Sequence, residues 1–417
     1  MKILFIADNR VRENWGCRAT SIALKELIEQ KHTIIGTIYG DITYNYEPAK
    51  IRKSSNKLYK LYSHIYHLPF INKIAHSIDI YDIIKNTVAK SYSAYQKIYQ
   101  KECIYKDIDL MIRNADGIVL NGEGSFIFST PARYDTLFYL LLLKIAQSYG
   151  KKTYCLNSMF SDSPLSKRNN AILQESINIL SQCTLVTARD PLSFEYYKKY
   201  ISHRIEYTPD ALFTWKKYSD YKKIILKYPL ALIPFPEFDK LWKDFSFDKP
   251  YICLSGSSYI KNPQEAIPIY SQLANKLKER WHLIIVATCS GDFYLEQVAQ
   301  HTNVPFIPVN TNILAGMSIL ANAQVFVSGR WHPSIMASNF GTPCVFLGSN
   351  SHKTMALQAM LNYTKKEEYH ALPNENEIQQ IVENVNTLII KGNEVRNNIE
   401  KQCDKLANLC ITKNQQI

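Results

Sequence analysis

Closely spaced cysteines are missing from this 417-residue sequence, and their absence limits the possible functions. The nine cysteines are scattered and none forms a C-x-x-C pair, so the pattern indicates neither a zinc site nor a disulfide framework. We interpret them as buried free thiols of a protein in a reducing compartment. No other set of metal ligands is evident in the sequence, and we expect no metal.

Long apolar runs are also missing. The N-terminal MKILFIADNR reaches Asp8 before its apolar run is long enough for a signal peptide. The most apolar segment, LFYLLLLKIA from Leu137, is interrupted by Lys144 and is far shorter than a segment that crosses a bilayer. We therefore expect a cytoplasmic protein without a transmembrane segment.

The charge is unbalanced, with a formal net charge of +12 and only 37 acidic residues against 49 lysines and arginines. Such a surface favours an acidic substrate or an anionic membrane surface. Nucleic acid is the weakest candidate, because no recognisable nucleic-acid-binding motif accompanies the charge. An apolar content of 46% fits an ordinary globular protein with a full core.

Alternating strand and helix patterns predict an α/β protein. The pattern begins with the strand KILFIAD and an amphipathic helix, and it restarts at YICLSGSS after a lysine- and proline-rich stretch. Two Rossmann-like domains facing across a cleft, the GT-B architecture, account for both halves.

The predicted domain boundaries follow from changes in this rhythm. Between about 41 and 106 the rhythm is lost, and a basic, Tyr-rich helical insertion over the active-site face is predicted. The predicted parts are an N-terminal Rossmann-like domain at 1–215, an interdomain connection at 216–250, a C-terminal donor-binding domain at 251–375, and a helical tail at 376–417 that packs back across the domains.

The stretch from Val325 to Lys353 predicts a β-α-β unit with basic residues at both strand-to-helix turns. Pro333 suits the first helical position, which places His332 at or near the N-cap and Arg330 at the strand end. Helix N-termini favour anions, so the sequence predicts a phosphate or carboxylate pocket here, to which Ser351, His352 and Lys353 also contribute. The alternative is that Arg330 and His332 only pair with a neighbouring domain.

Four further residues are candidates for a functional role. Glu123, in the turn NGEGS predicted after the strand Asp116 to Leu120, is expected to be exposed and able to act as a base on a sugar hydroxyl, or to be only a solvated turn residue. Arg189 follows another strand and can clamp a carboxylate, or can pair locally with Asp190 or Glu195. Asp162 and Asp210 are possible orienting groups, with capping or turn roles as the alternative.

The order of these motifs resembles the polysaccharide pyruvyl transferase family over most of the chain from Lys2 to about Leu361, apart from the insertion. Members carry an early N-x-G, a D-x-(I/V)-x-x-x-G-x-G strand and turn, an R-D-x-x-S, a P-D and a late S-x-R-x-H with G-x-P. The matching positions here are Asn14 to Gly16, Asp116 to Gly124, Arg189 to Ser193, Pro209-Asp210, Ser328 to His332 and Gly341 to Pro343.

The resemblance implies a transferase of bacterial cell-surface polysaccharide biosynthesis that moves pyruvate from phosphoenolpyruvate onto a pair of sugar hydroxyls. It implies donor binding by Arg330 and Arg189, and a role for His332 as donor ligand and general acid. Glu123 remains the candidate base, and supporting roles are expected for Asn14, Gly16, Gly122, Gly124 and Asp210. No cofactor is expected beyond the donor substrate.

Two positions depart from the family pattern. Cys17 stands where an acidic residue often follows the N-x-G, and Glu123 interrupts a turn that is often all glycine. The alternatives are therefore a GT-B glycosyltransferase that uses a nucleotide-activated, possibly acidic, sugar, or a non-catalytic protein of a glycan-assembly complex. The expected acceptor is a glycan or a lipid-linked oligosaccharide, which would bring the protein to the inner face of the membrane.

Overall fold

The computed structural model describes residues 1–40, 83–101, 103–228, 234, 240–243 and 245–415. The basic cluster of the predicted insertion, from Lys50 to Lys60, lies within 41–82, outside the described residues. What is described of the insertion includes one complete helix, Val88–Ile98, and the start of the next, Cys103–Asn114. None of the described helices has the length and apolar character needed to cross a membrane.

The chain divides into two compact units that interleave in sequence. The first unit comprises Met1–Val11, Ile28–Ala188 and Phe194–Glu206, and the second comprises Arg12–Leu27, Arg189–Ser193 and Tyr207–Ile417. Two short segments from the N-terminal half therefore belong to the second unit, and each of them carries candidate site residues.

In the described residues the strands are β1 (Lys2–Asp8), β2 (Thr33–Tyr39), β3 (Gly117–Phe128), β4 (Lys152–Asp162), β5 (Leu185–Ala188), β6 (Ile205–Tyr207), β7 (Tyr251–Ser257), β8 (His282–Val286), β9 (Phe306–Ile307), β10 (Phe326–Gly329) and β11 (Cys344–Phe346). The first sheet contains six of them in the order β2-β1-β3-β4-β5-β6, and its pairs from β2 to β5 are parallel. The second sheet contains the other five, all parallel, in the order β11-β10-β7-β8-β9.

Helices connect the strands throughout both units. In chain order, the α-helices within the described ranges are α1 (Trp15–Glu29), α2 (Val88–Ile98), α3 (Cys103–Asn114), α4 (Tyr134–Ser148), α5 (Asn170–Leu180), α6 (Pro191–Ile201), α7 (Ile224–Lys227), α8 (Lys240–Lys243), α9 (Pro263–Lys278), α10 (Tyr294–Thr302), α11 (Ile313–Asn322), α12 (Trp331–Ser338), α13 (Lys353–Met360), α14 (Glu375–Lys391) and α15 (Asn393–Asn414). The 3-10 segments are Tyr99–Lys101, Ala211–Lys223 and Ser290–Asp292. The fold class predicted from the sequence, α/β with two Rossmann-like parallel sheets, is confirmed.

Local sequence signals explain several helix boundaries. Asn262 caps α9, and Pro263 occupies its first turn, where a missing N–H costs nothing. Asn374 and Glu377 form a reciprocal capping box at the start of α14. The apolar run of α4 is buried in the core of the first unit, which explains its composition without a membrane.

Two local predictions are wrong. The segment Asn121 to Ser125 is not a turn, because β3 continues through it and pairs with β4 as far as Phe128. The irregularity that the glycines signalled is a register shift between Glu123 and Phe126. Helix α12 begins at Trp331, so Arg330 is its N-cap and Pro333 its third residue. Proline fits there because the first four N–H groups of a helix have no partner within it.

Candidate functional site

Strained backbone marks three neighbouring strands of the first sheet. Ala7, Glu123 and Asn157 have φ angles of 62°, 38° and 55°, in the left-handed region that residues other than glycine rarely adopt. Because β3 lies between β1 and β4, these residues occupy adjacent strands. Clustered strain of this kind is typical of functional sites, where surrounding contacts hold it in place.

The Glu123 carboxylate is buried and is held by two amide groups of the first unit. Glu123 is only 5% exposed, so the expectation of an exposed acid is wrong. Its Oε1 accepts hydrogen bonds from Nδ2 of Asn9 at 2.5 Å and from Nδ2 of Asn121 at 2.9 Å. Its Oε2 accepts none from any residue in the described part of the chain. One carboxylate oxygen is thus anchored and the other is available to accept a proton.

Further hydrogen bonds fix the amide that anchors Glu123. Asn157 donates from Nδ2 to Oδ1 of Asn121 at 3.2 Å, and its backbone N–H donates to Oγ1 of Thr187 at 2.9 Å. Gly122 is required by close packing, because a Cβ there would lie 2.0 Å from Oγ of Ser158. Gly124 has no such constraint: the nearest atom to a Cβ there is Cε of Met159 at 4.0 Å.

In the second unit, the buried carboxylate of Asp210 is the centre of a second polar cluster. Its Oδ1 accepts from Oγ1 of Thr20 at 2.7 Å and from the backbone N–H of Leu212 at 3.0 Å. Its Oδ2 accepts from Nη1 of Arg189 at 3.2 Å and from Nε1 of Trp331 at 3.1 Å. Asp210 therefore caps the following 3-10 segment and also orients Arg189.

Electrostatics keep Asp210 ionised despite its burial. Burial alone would raise the pKa of Asp210, but His332, Arg189 and the Thr20 hydrogen bond outweigh it and hold that pKa well below its ordinary value. The Arg189 guanidinium also lies 5.2 Å from the ring centre of Trp331, a cation–π distance. The Arg189 fork is therefore fixed on two sides.

His332 is held beside this ion pair and is only 7% exposed. Its Nε2 lies 3.2 Å from Oδ2 of Asp210 and 3.1 Å from Nη1 of Arg189. Its Nδ1 makes no hydrogen bond to any residue that the structure describes. Gly16 leaves room for the ring, because a Cβ at Gly16 would lie 2.2 Å from Cβ and 2.8 Å from Nδ1 of His332.

The turn that contains Gly16 is anchored within the second unit. Asn14 caps α1, accepting from the backbone N–H of Cys17 at 3.0 Å. Trp15 donates from its backbone N–H to the carbonyl of Thr288 at 2.9 Å and from Nε1 to the carbonyl of Val309 at 2.7 Å. These bonds fix Gly16 against His332, which gives the early N-x-G motif a structural reason.

Arg330 lies at the end of β10, where it is bound by an acid that the sequence analysis missed. Its Nη2 donates to Oδ1 of Asp292, whose Oδ2 accepts from the N–H and Oγ1 of Thr288, both at 3.1 Å. Burial opposes its charge, but the Asp292 carboxylate outweighs burial and raises the Arg330 pKa. Its Nε is buried and has no hydrogen-bond partner among the described residues, so this guanidinium retains donor capacity.

The segment before α13 brings the remaining predicted donor ligands into the second unit. Ser351 is buried, and its carbonyl accepts from Oγ of Ser349 at 2.7 Å. Lys353 begins α13 and donates from Nζ to Oδ1 of Asn350 at 2.8 Å.

His352, predicted as a donor ligand, lies against an acid. Its Nε2 is 3.2 Å from Oδ1 of Asp190 and 3.1 Å from Oγ of Ser193. Ser193 also donates to Oδ2 of Asp190 at 2.6 Å. Burial would raise the pKa of Asp190, but these partners lower it below its ordinary value.

Asp162, the other possible orienting acid, pairs with Arg168 and accepts from the Tyr196 hydroxyl at 2.7 Å. The structure thus brings Arg189, Asp210, Gly16 and His332 together in the second unit, and Asn9, Asn121, Glu123 and Asn157 together in the first. Asp292, Thr20, Asn9 and Asn157 were missed, since each lies far in sequence from its partner and no local pattern marks it.

Two parallel sheets, each with polar residues gathered along neighbouring strands, define the class as a GT-B-like α/β protein. The fold is similar over 100% of both chains to UDP-GlcNAc 2-epimerase from Neisseria meningitidis bound to UDP-GlcNAc, with a TM-score of 0.56 and 11% identity. It is also similar to HepE from Anabaena in complex with UDP and glucose, with a TM-score of 0.54, 13% identity and coverage of 100% of this chain and 98% of that chain. MnaA from S. aureus with UDP gives a TM-score of 0.52 at 13% identity, covering 96% and 91%.

The family follows from the sequence. The model of the family described as polysaccharide pyruvyl transferase matches residues 16–351, so the chain belongs to that family. This is a transferase family, which supports an enzyme. No curated protein matches the sequence.

Proposed function

We propose that the protein transfers pyruvate from phosphoenolpyruvate to two hydroxyls of one sugar in a cell-surface glycan, forming a ketal and releasing phosphate. The observation that carries the proposal is the cluster of basic side chains in the second unit, in which Arg189 and Arg330 are held by buried acids and Lys353 begins a helix. A small ligand with both a carboxylate and a phosphate suits such a cluster.

The reaction balances without any further reactant. A proton added to the methylene carbon of the donor makes its C2 cationic, and one sugar hydroxyl attacks C2 and loses its proton. Phosphate then leaves with the C2–O electron pair, and the second hydroxyl attacks the new C2 cation and loses its proton. Of the two hydroxyl protons, one balances the proton on the new methyl group and the other leaves on phosphate. The scheme requires acid–base chemistry and charge stabilisation, but no metal and no cofactor.

For the donor, we assign binding to Arg330, Arg189 and the segment from Ser351 to Lys353. Arg330 has a buried Nε without a partner among the described residues, and Lys353 supplies an ammonium at a helix N-terminus. Two fixed guanidinium forks discriminate between planar carboxylate and phosphate groups better than flexible ammonium groups do.

For the proton, we assign His332 as general acid through Nδ1. Its Nε2 faces the Asp210 carboxylate, which fixes the orientation of the ring and leaves Nδ1 as the atom that can donate. Gly16 supports this role, because any side chain there would displace the ring.

For the acceptor, we assign Glu123 of the first unit as the base that removes a hydroxyl proton. The anchored Oε1 leaves Oε2 as the accepting atom, and the neighbouring Asn9 and Asn121 amides hold the carboxylate by its other oxygen. A carboxylate fixed in this way is suited to repeated proton transfer.

A glycosyltransferase that uses a nucleotide-activated sugar is the second candidate. It is favoured by the fold, since the similar structures described above were solved with UDP or UDP-GlcNAc. In this case Glu123 would be the base, and Arg330 with residues 349–353 would bind the donor phosphates. A non-catalytic binding protein is the least favoured, because it would not require Glu123, Arg189 and His332 together.

The net charge of +12 suits a bacterial enzyme acting on lipid-linked glycans at the inner face of the membrane. Binding of the purified protein to vesicles of anionic lipid at low salt, with none to neutral vesicles, would support this location. No binding to either would count against it.

The experiment for the function is product analysis. The protein is incubated with phosphoenolpyruvate and a mixture of bacterial lipid-linked oligosaccharides, and phosphate release and glycan mass are measured. We expect acceptor-dependent phosphate release with a mass gain of one pyruvate less one water, both lost in Arg330→Ala and in His332→Ala. Sugar transfer from a UDP conjugate, with none from phosphoenolpyruvate, would establish the second candidate.

A further inference from the structure

Lys353 differs from its basic neighbours in lacking an acidic partner. Arg330 pairs with Asp292 and Arg189 pairs with Asp210. Lys353 donates from Nζ to the neutral amide of Asn350 at 2.8 Å, and no carboxylate within the described ranges forms an ion pair with it. Arg330 and Arg189 therefore each have an ion-paired acid, whereas Lys353 has none.

The position of Lys353 also disfavours its charge. It is the first residue of α13, where the helix dipole places partial positive charge, and its side chain is half-buried. The guanidinium groups of Arg330 and Arg189 add two positive charges nearby. Burial first, and then these two guanidiniums, lower the pKa of Lys353 to about 7.

The other titratable groups around Lys353 do not restore the balance. The Cys17 and Cys289 thiols face it, and burial raises the pKa of Cys289 to about 11, so that thiol is neutral near pH 8. Glu368 also faces Lys353, but it forms no ion pair with it, and its Oε2 instead accepts a hydrogen bond from Oγ1 of Thr354. None of these groups forms an ion pair with Lys353, so a negatively charged ligand would supply the missing counter-charge.

We propose that Lys353 takes up a proton when an anionic donor binds, so that the site selects its donor by negative charge and couples donor binding to pH. The inference rests on the proposed function for the identity of the donor. The empty site would keep Lys353 largely neutral at pH 8, and the bound donor would supply the charge that makes the ammonium stable.

Two quantities follow from this coupling. Near pH 8, Lys353 should take up close to one proton for each donor molecule bound. At pH 6 Lys353 is already charged, so it should take up almost no proton on binding. Above pH 8, the affinity should fall about tenfold for each pH unit, as one linked proton requires. Above pH 8 phosphoenolpyruvate is fully ionised, so its own titration does not produce this fall in affinity.

The experiment is calorimetric titration of the full-length protein with phosphoenolpyruvate at pH 8, in buffers of low and high ionisation enthalpy. We expect the observed enthalpy to depend on the buffer for the wild type. Lys353→Arg, which is always charged, should bind without this uptake and with little loss of affinity above pH 8. Lys353→Met should bind weakly and also without the uptake. Equal proton uptake by wild type and Lys353→Arg would overturn the proposal, because the proton would then go to another group.

The outcomes separate this inference from the proposed function. Binding of phosphoenolpyruvate without proton uptake would reject the role of Lys353 and leave the function intact. If UDP or inorganic phosphate binds with Lys353-dependent uptake while phosphoenolpyruvate does not bind, the function is rejected and the role of Lys353 stands. Binding of none of these anions would reject both.

Discussion

The two sheets use different chemistry to build a polar site, although both are parallel and both belong to a Rossmann-like unit. In the first unit, one carboxylate is held by the neutral amides of Asn9 and Asn121, and three residues with left-handed backbone lie on the neighbouring strands. In the second unit, basic side chains are paired with buried acids, and the residue 16 backbone approaches an imidazole closely. The first arrangement suits proton abstraction from a neutral hydroxyl, and the second suits binding of an anion.

The two polar sites also differ in the interactions that stabilise them. A carboxylate held by amides loses only hydrogen bonds when one partner changes, whereas a buried ion pair leaves an uncompensated charge when one partner is removed. Changes in the second unit should therefore affect both folding and activity, and changes at Glu123 should affect activity alone.

The largest effect is expected for Asp210→Asn. The change leaves Arg189 buried without its counter-ion, so the free energy of unfolding should fall by about 3–5 kcal/mol. Activity should fall by roughly 10²- to 10⁴-fold, because His332 loses its orienting partner. Denaturant unfolding and donor-dependent turnover measure the two effects. Asp404→Asn is the control: it removes an exposed carboxylate paired with Lys216, which keeps Glu400 as a second partner, and should change stability by less than about 1 kcal/mol.

Glu123→Gln should separate chemistry from folding. The amide keeps the shape of the side chain but cannot accept a proton, so turnover should fall by roughly 10²- to 10⁴-fold. Donor binding and the unfolding midpoint should stay near their wild-type values. Glu195→Gln, on an exposed side chain, is the matched control. Full activity of Glu123→Gln would contradict the role of the first unit as the acceptor side.

Gly16→Ala should have a smaller effect through His332. The new methyl group would overlap Cβ of His332, so the ring must move, and a displacement of about 1 Å can cost roughly 10²-fold in turnover. Donor affinity should change less than turnover. Gly124→Ala, which meets no atom closer than 4.0 Å, should unfold at the wild-type midpoint. Equal turnover in Gly16→Ala and wild type would show that the close approach has no role in catalysis.

The smallest effect concerns acid stability. The pKa values of Asp210 and Asp190 are lowered in the folded state, so these groups stabilise the fold above the ordinary aspartate pKa of 3.8. That contribution is lost as the pH falls below this value, because the unfolded chain then binds protons that the folded chain does not. Urea unfolding between pH 6 and pH 3 should show a steep loss for the wild type and a shallower one for Asp190→Asn. Parallel curves would contradict this contribution.

The sequence pattern predicted strands well where the residues of one segment determine its structure without distant partners. KILFIAD became β1 with the predicted bounds, and the apolar run of VFVSG became β10. The error at Asn121 to Ser125 has a non-local cause, since pairing of β3 with β4 and the left-handed Glu123 keep the strand going. The N-cap error arose because proline is tolerated throughout the first helical turn and does not mark its first residue.

The candidate site was predictable in its basic residues but not in their partners. Arg330 and His332 follow a strand and open a helix, which is a local signal. Asp292 lies 38 residues from Arg330, and Asn9 lies 114 residues from Glu123, so only the folded chain brings them together. The roles assigned to all of these residues remain predictions.

Thermal unfolding with phosphoenolpyruvate beside UDP, and with Arg330→Ala beside the wild type, tests the central claim that the second unit binds a small dianionic or trianionic donor. At 100 times its dissociation constant, a ligand specific for the folded state adds about 2.7 kcal/mol of stability. The account predicts a higher midpoint for the wild type with phosphoenolpyruvate and no such rise for Arg330→Ala. A rise with UDP alone, or an equal rise in Arg330→Ala, would contradict it.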